Sequence, residues 1–258
     1  YGNLESLARI GRTELARLHA EWVNPKRLVL SVSGAVTREQ VDEWIGQSIE
    51  PRLAQLPVMG ENPGMMGGQM TEERDLPSPR WVEKNLGREQ LHILVGGLGL
   101  RLTDEDRHVL RLLQTILGGQ SGRLFVELRE KRSLAYTVSP ISFEGLERGY
   151  VGTYIASAPA KREEAIHGIR QVYEQLAKKG PTPAEMKRAK EYLLGRRAMD
   201  IQGDTALASY FGLETLYGKP ILSESAIAKK VRAITADEVK KQCLKLFVEP
   251  HFVTSAVG

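Results

Sequence analysis

Two side chains seven positions apart could act together on a carbonyl oxygen: the guanidinium of Arg129 and the phenol of Tyr136. Both lie in the stretch GGQSGRLFVELREKRSLAYTVS, residues 118–139, which opens on a glycine pair, continues as an arginine-rich amphipathic segment and leaves through Leu134, Ala135 and Tyr136. The spacing predicts a helix over 121–132 with Leu124, Phe125 and Leu128 as its buried stripe, and Arg129 at the stripe's edge, four residues after Phe125. A planar guanidinium and a phenolic O–H share one chemical aptitude, since both donate hydrogen bonds to oxyanion charge as it develops. By spacing alone, an arginine paired with Glu127 or Glu130 and a tyrosine packed in a sheet is the favoured reading.

Other chemistries find less support. The five histidines, His19, His92, His108, His167 and His251, are all more than five residues from one another, so no short helical zinc motif exists. Glu163 with His167, and Asp104 with His108, have the i, i+4 spacing of surface ion pairs. Gly118 to Gly122 reads GGQSG, which is neither the nucleophile elbow nor the phosphate loop, and the glycine pair is simplest as a helix C-cap and turn. Cys243 is the single cysteine and reads as buried packing. With 36 basic and 32 acidic residues the net charge is +4, but the basic residues are interspersed with acidic ones, so nucleic acid is not an expected partner. No apolar run approaches the ~20 residues of a membrane span. The chain opens on Tyr1 without a basic-then-apolar leader, which points to a piece of a longer or processed protein. The compartment, cytoplasm or periplasm, is left open.

The elements that must position Arg129 and Tyr136 follow from periodicity. Helices are expected over 13–23 with Thr13 as N-cap, 37–53, 103–117 from Thr103 or Asp104, and 160–178. Capping boxes open helices at Thr37 with Gln40, Thr182 with Glu185, and Thr235 with Glu238. Six strands are expected: 27–34, 80–85, 90–97, 136–144, 150–158 and 252–257, with 80–97 read as a hairpin. No sequence repeat stands out. The class is α+β, a largely antiparallel sheet of about six strands with helices on one face. The chain, 258 residues with 41% hydrophobic content, reads as one domain spanning 1–258 with a flexible Gly/Met/Pro-rich loop at about 56–79.

The central stretch also resembles a known family. SGRLFVELREKRSLAYTVS, preceded by LGG, is similar to the GG-x-x-SRLF-x-ELRE-x-x-GLAY signature of the second, non-zinc domain of insulinase-like (pitrilysin) zinc metallopeptidases. The likeness extends over the helix, Asn-Pro, strand and Gly34 near the start and over the strands through Ala158. It implies a split active site. One half carries zinc on an inverted His-x-x-Glu-His motif and activates water, while the related half closes over it and supplies an Arg and a Tyr that bind the substrate backbone. Arg129 and Tyr136 match that pair, and Phe125 falls where the family has a residue near the substrate pocket. The inverted motif has no counterpart here, so the resemblance implies that this chain binds no metal and that zinc belongs to a complementary half, on the same polypeptide or a partner subunit. The expected partners are that half and a peptide substrate, with a dimer as a further expected assembly. The alternative role is a non-catalytic structural or chaperone-like subunit. Two residues depart from the signature: Gly122 stands where Ser is common, and Ser133 where Gly is usual.

Overall fold

A computed structural model describes residues 2–23, 28–55 and 74–258. The chain divides into two units, one formed by 1–70 with 200–221, the other by 71–199 with 222–258.

The second unit holds the sheet. Its strands are β1 (Arg80–Lys84), β2 (Leu91–Leu98), β3 (Thr137–Phe143), β4 (Tyr150–Ser157) and β5 (Val253–Val257), in the order β1-β5-β2-β4-β3. Only β1 and β5 run parallel, so the sheet is largely antiparallel. Alternation decides its two faces. Leu91, Ile93 and Val95 of β2, with Val151 and Ile155 of β4, are buried, whereas Leu94, Tyr150 and Val82 of the opposite face are exposed. Helices α5 (Arg107–Leu117), α6 (Arg162–Lys179) and α10 (Ala236–Phe247) supply the other side of the core through Leu112, Leu113, Ile169, Tyr173, Val239 and Cys243. Each such side chain contributes about 1.5–3 kcal/mol by leaving water. Cys243 is buried as expected, 3.5 Å from the Tyr173 carbonyl, and burial pushes its thiol up to about 12.

Capping follows the expected boxes. At α7 (Pro183–Asp200), Thr182 N–H donates to Glu185 Oε2 at 2.7 Å and Glu185 N–H to Thr182 Oγ1 at 3.2 Å. At α10 the same exchange joins Thr235 and Glu238 at 2.7 and 3.2 Å. Helix α9 (Glu224–Ala233) also belongs to this unit. Helix α5 starts later than 103, because Asp104 Oδ2 is engaged by the Arg101 N–H at 2.8 Å and Asp106 takes the cap position.

The first unit carries α1 (Leu4–Ala8), α2 (Arg12–Trp22), α3 (Arg38–Trp44), a π-helical continuation Ile45–Ile49 into α4 (Glu50–Leu53), and α8 (Asp204–Leu216). Helix α2 is capped at Gly11, whose N–H donates to Glu14 at 2.9 Å, rather than at Thr13. Its expected buried face, Leu15, Leu18 and Trp22, is exposed.

Two strand expectations need correction. The described part of 27–34 forms no strand, so the sheet has five strands, not six. The alternation is present in Leu28, Leu30 and Val32, but a strand also needs a neighbour for its N–H and C=O groups, and none stands beside it among the described residues. The second correction concerns 80–97, which is not a hairpin. Strand β5 enters between β1 and β2, pairing Val82 with Ser255 and Ile93 with Ala256. Insertion buries Thr254 and Ala256 and leaves β1 as an exposed edge, which a direct hairpin would not achieve. Of the expected loop at 56–79, residues 56–73 lie outside the described residues, and 74–79 have no regular secondary structure.

Candidate functional site

The segment carrying Arg129 is built from constraints at both ends. Gly118 caps α5 through its N–H to Gln114 O at 2.9 Å, and Gly119 takes φ 74°, a left-handed value suited to glycine. The glycine pair is therefore a cap and turn, as its position implied. A Cβ at Gly122 would lie 2.0 Å from Gly118 O, so glycine is required at this departure from the family signature. Next comes Arg123, which donates Nε to Glu185 Oε1 at 2.7 Å, and Nη2 to Glu185 Oε2 at 2.8 Å and Gly180 O at 3.0 Å. This fork, with both side chains largely removed from solvent, anchors the start of the turn to the first turn of α7.

From Phe125 to Glu130 the backbone is π-helical rather than the α-helix expected over 121–132. Lys131 N–H reaches back five residues to Val126 O at 3.0 Å, and Leu134 N–H bonds Leu128 O at 2.7 Å. Single π-helical turns occur disproportionately at functional sites. Ser133 then takes φ 50°, the sole left-handed non-glycine among the described residues, with its carbonyl held by Lys161 Nζ at 2.9 Å. The chain enters β3 with Tyr136 N–H bonded to Ala156 O at 3.1 Å and Ser157 Oγ donating to Leu134 O at 2.5 Å. The left-handed backbone at Ser133 explains why glycine is usual here in the family pattern. Ser133→Gly is expected to stabilise the chain by about 1 kcal/mol, raising Tm by ~2–4 °C in a thermal melt. A lower Tm would show that the serine side chain, not the backbone, governs this turn.

These constraints bring Arg129, Phe125 and Tyr136 together. The Arg129 guanidinium carbon lies 4.8 Å from the Phe125 ring centroid and 5.6 Å from that of Tyr136. Phe125 is half-buried and also packs against the core, so it serves as both floor and support. Glu127 is engaged by Lys131 at 2.6 Å, and Arg129 makes no hydrogen bond or ion pair among the described residues. Tyr136 is 73% exposed. The group thus holds one cation by stacking alone, leaving its N–H donors and the neighbouring phenol open to solvent. A separate hollow of about 450 Å³ on the open sheet face, lined by Leu94, Gly96, Tyr150 and Val253 among others, involves none of the three.

No group of three or more His, Cys, Asp and Glu capable of holding a metal occurs among the described residues, so the side chains present do not fit a zinc ion. His92 Nδ1 lies 2.7 Å from Tyr154 Oη, and His167 Nε2 lies 2.8 Å from Gln171 Nε2. Burial first, then Arg107 and Arg111, push His108 down to about 4, which keeps it neutral near neutrality. No helix is long and apolar enough to cross a membrane among the described residues. Sequence reasoning overlooked Arg123, Gly168 and Gln171 as supports of the turn, and saw Glu185 only as a capping residue and not as the partner of Arg123. An isolated glycine inside a continuous helix pattern, as at Gly168, was the available sign.

The fold is that of one peptidase family. Residues 9–193 match the family described as Peptidase M16 inactive domain, and the chain belongs to it. It is 27% identical over 242 residues to an uncharacterized zinc protease of Streptomyces coelicolor, covering 93% of this chain and 52% of that protein. It is 23% identical over 270 residues to a mitochondrial-processing peptidase subunit beta of Lentinula edodes, covering 100% of this chain and 56% of that one. Among solved structures, the crystal structure of a peptidase M16 inactive domain from Pseudomonas fluorescens has the same fold (TM-score 0.80, 20% identity), covering 100% of this chain and 60% of that chain. The chain spans about half the length of the curated relatives it matches.

Proposed function

We propose that this chain is the complementary, non-zinc part of a zinc-dependent endopeptidase, inactive alone, which binds a peptide backbone and donates hydrogen bonds to the carbonyl under attack. The observation that carries this reading is the Arg129 guanidinium stacked on Phe125 and Tyr136 with its donors uncommitted. Stacking fixes the plane of the fork without using its N–H groups, so preorganised donors face solvent at no reorganisation cost during reaction. Tyr136 adds a second donor beside it, and Phe125 offers apolar contact to a substrate side chain. In this reading the metal belongs to the complementary half, in keeping with the lack of a metal-holding group among the described residues.

The first unit supports the need for that half. Its helices α1 and α3 bury no residue, and Leu28, Leu30 and Val32 alternate outward without a ladder. The order helix, Val23, Asn24, Pro25, β-rich segment, Gly34 parallels α10, Val248, Glu249, Pro250, β5, Gly258. In the second copy of this pattern β5 is paired on both sides; in the first, the flanking strands would come from the complementary half.

Combining this chain with the polypeptide of its own or a neighbouring reading frame that carries His-x-x-Glu-His tests the proposal. Hydrolysis of a quenched, unstructured peptide should appear in the mixture and be absent from this chain alone. A mixture no faster than the zinc half by itself would overturn the catalytic role and favour the structural one.

A further inference from the structure

Helix α6 meets the Arg129 turn at a residue with no side chain. A Cβ on Gly168 would lie 2.5 Å from Leu128 Cδ2, 3.5 Å from Arg132 Nη1 and 3.6 Å from Leu134 Cδ1. Leu128 is fully buried and immediately precedes Arg129, so its side chain has no solvent to retreat into. Three residues along α6, Gln171 Oε1 accepts from Arg132 Nη1 at 2.8 Å, and Gln171 Nε2 lies 2.8 Å from His167 Nε2. Just before α6, Lys161 holds the Ser133 carbonyl. Contacts from α6 and the residue preceding it therefore bracket Arg129, at Leu128 on one side and at Arg132 and Ser133 on the other.

We propose that Gly168 and Gln171 are positioning residues. They fix the rotation of the π-helical turn so that the Arg129 guanidinium lies over Phe125 and Tyr136. The proposal rests on the reading of Arg129 and Tyr136 as substrate donors, and the two fail separately. A methyl at 168 must push Leu128 or the helix itself, because a close-packed interior has no slack for an added carbon. Either displacement swings the next residue, Arg129, away from the rings. Losing the Gln171 bond frees Arg132 and loosens the same turn from its other end.

The side-chain protons of Arg129 lie over two aromatic rings and so carry a ring-current shift, readable by NMR on this chain as it stands. Gly168→Ala is expected to lose that shift, and Gln171→Ala to reduce it. Gly195→Ala, at a helical glycine with open space around it, should leave it unchanged. Adding Leu128→Val to Gly168→Ala makes room for the methyl and should restore the shift, an outcome that a merely destabilised chain would not give. In the assembled peptidase the Gly168→Ala chain should lose about a hundredfold in kcat, the scale of an ångström's misplacement. A folded Gly168→Ala chain that keeps the Arg129 shift overturns the positioning role, as does an undiminished ring-current shift in Gln171→Ala should Gly168→Ala not fold. A lost shift with unaltered kcat supports the positioning and overturns the donor reading instead.

Discussion

Replacing Tyr136 with phenylalanine in the assembled peptidase is expected to lower kcat by ~10- to 1,000-fold, the range for removing one oxyanion donor. The change should fall on kcat, with KM nearly unaltered, because the bond to the phenol strengthens as charge builds on the carbonyl oxygen. Tyr136 is 73% exposed and its backbone, not its hydroxyl, holds it to β4 through Ala156. The variant should therefore unfold within about 0.5 kcal/mol of the parent. Steady-state kinetics on a quenched peptide, beside a thermal melt, separate the two effects. An unchanged kcat in a stably folded variant would remove Tyr136 from the chemistry and leave Arg129 as the sole donor.

The second large effect lies in the clamp beneath the site. Glu185 accepts two hydrogen bonds from Arg123 and more from Thr182, and the Arg123 guanidinium foremost pulls its carboxyl down to about 2 from the ordinary 4.5. The folded state thus favours the ionised form. Its contribution is fully present above about pH 4.5 and is lost as pH falls toward 2. For side chains this little exposed the shift corresponds to about 2–3 kcal/mol. Glu185→Gln preserves a capping residue at α7 but loses the charge, leaving Arg123 without its counter-ion. Urea unfolding at pH 7 should show that loss, and the gap between parent and variant should narrow as pH drops from 4.5 toward 3. His108, neutral in the fold, also weakens the chain in acid, but equally in both proteins. A gap independent of pH would show that the clamp stabilises by packing rather than by charge. Because Arg123 lies two residues before Phe125, the same variant should also disturb the stacking of Arg129.

Local signals were legible where local physics decides. The capping boxes at Thr182 and Thr235, the cap at Gly118, the alternation of β2 and β4, and the buried Cys243 each depend on neighbours a few residues away. Arg129, Tyr136 and Phe125 were singled out as candidates from residue type and from a signature in the chain. Whether they meet was not legible. A helix of ordinary pitch was expected, and a π-helical turn with a left-handed Ser133 formed.

The amino-acid sequence by itself determined which segments prefer helix or extended backbone and which residues carry donors, since these follow from side-chain chemistry and spacing. Only the tertiary structure decided where β5 goes, that Leu28, Leu30 and Val32 stay unladdered, and that Gly168 lets α6 press on Leu128. Strand partners and close approaches join residues tens to hundreds of positions apart. Their free energy comes from burying surface that exists only once the elements have come together, so no local pattern in the chain records it.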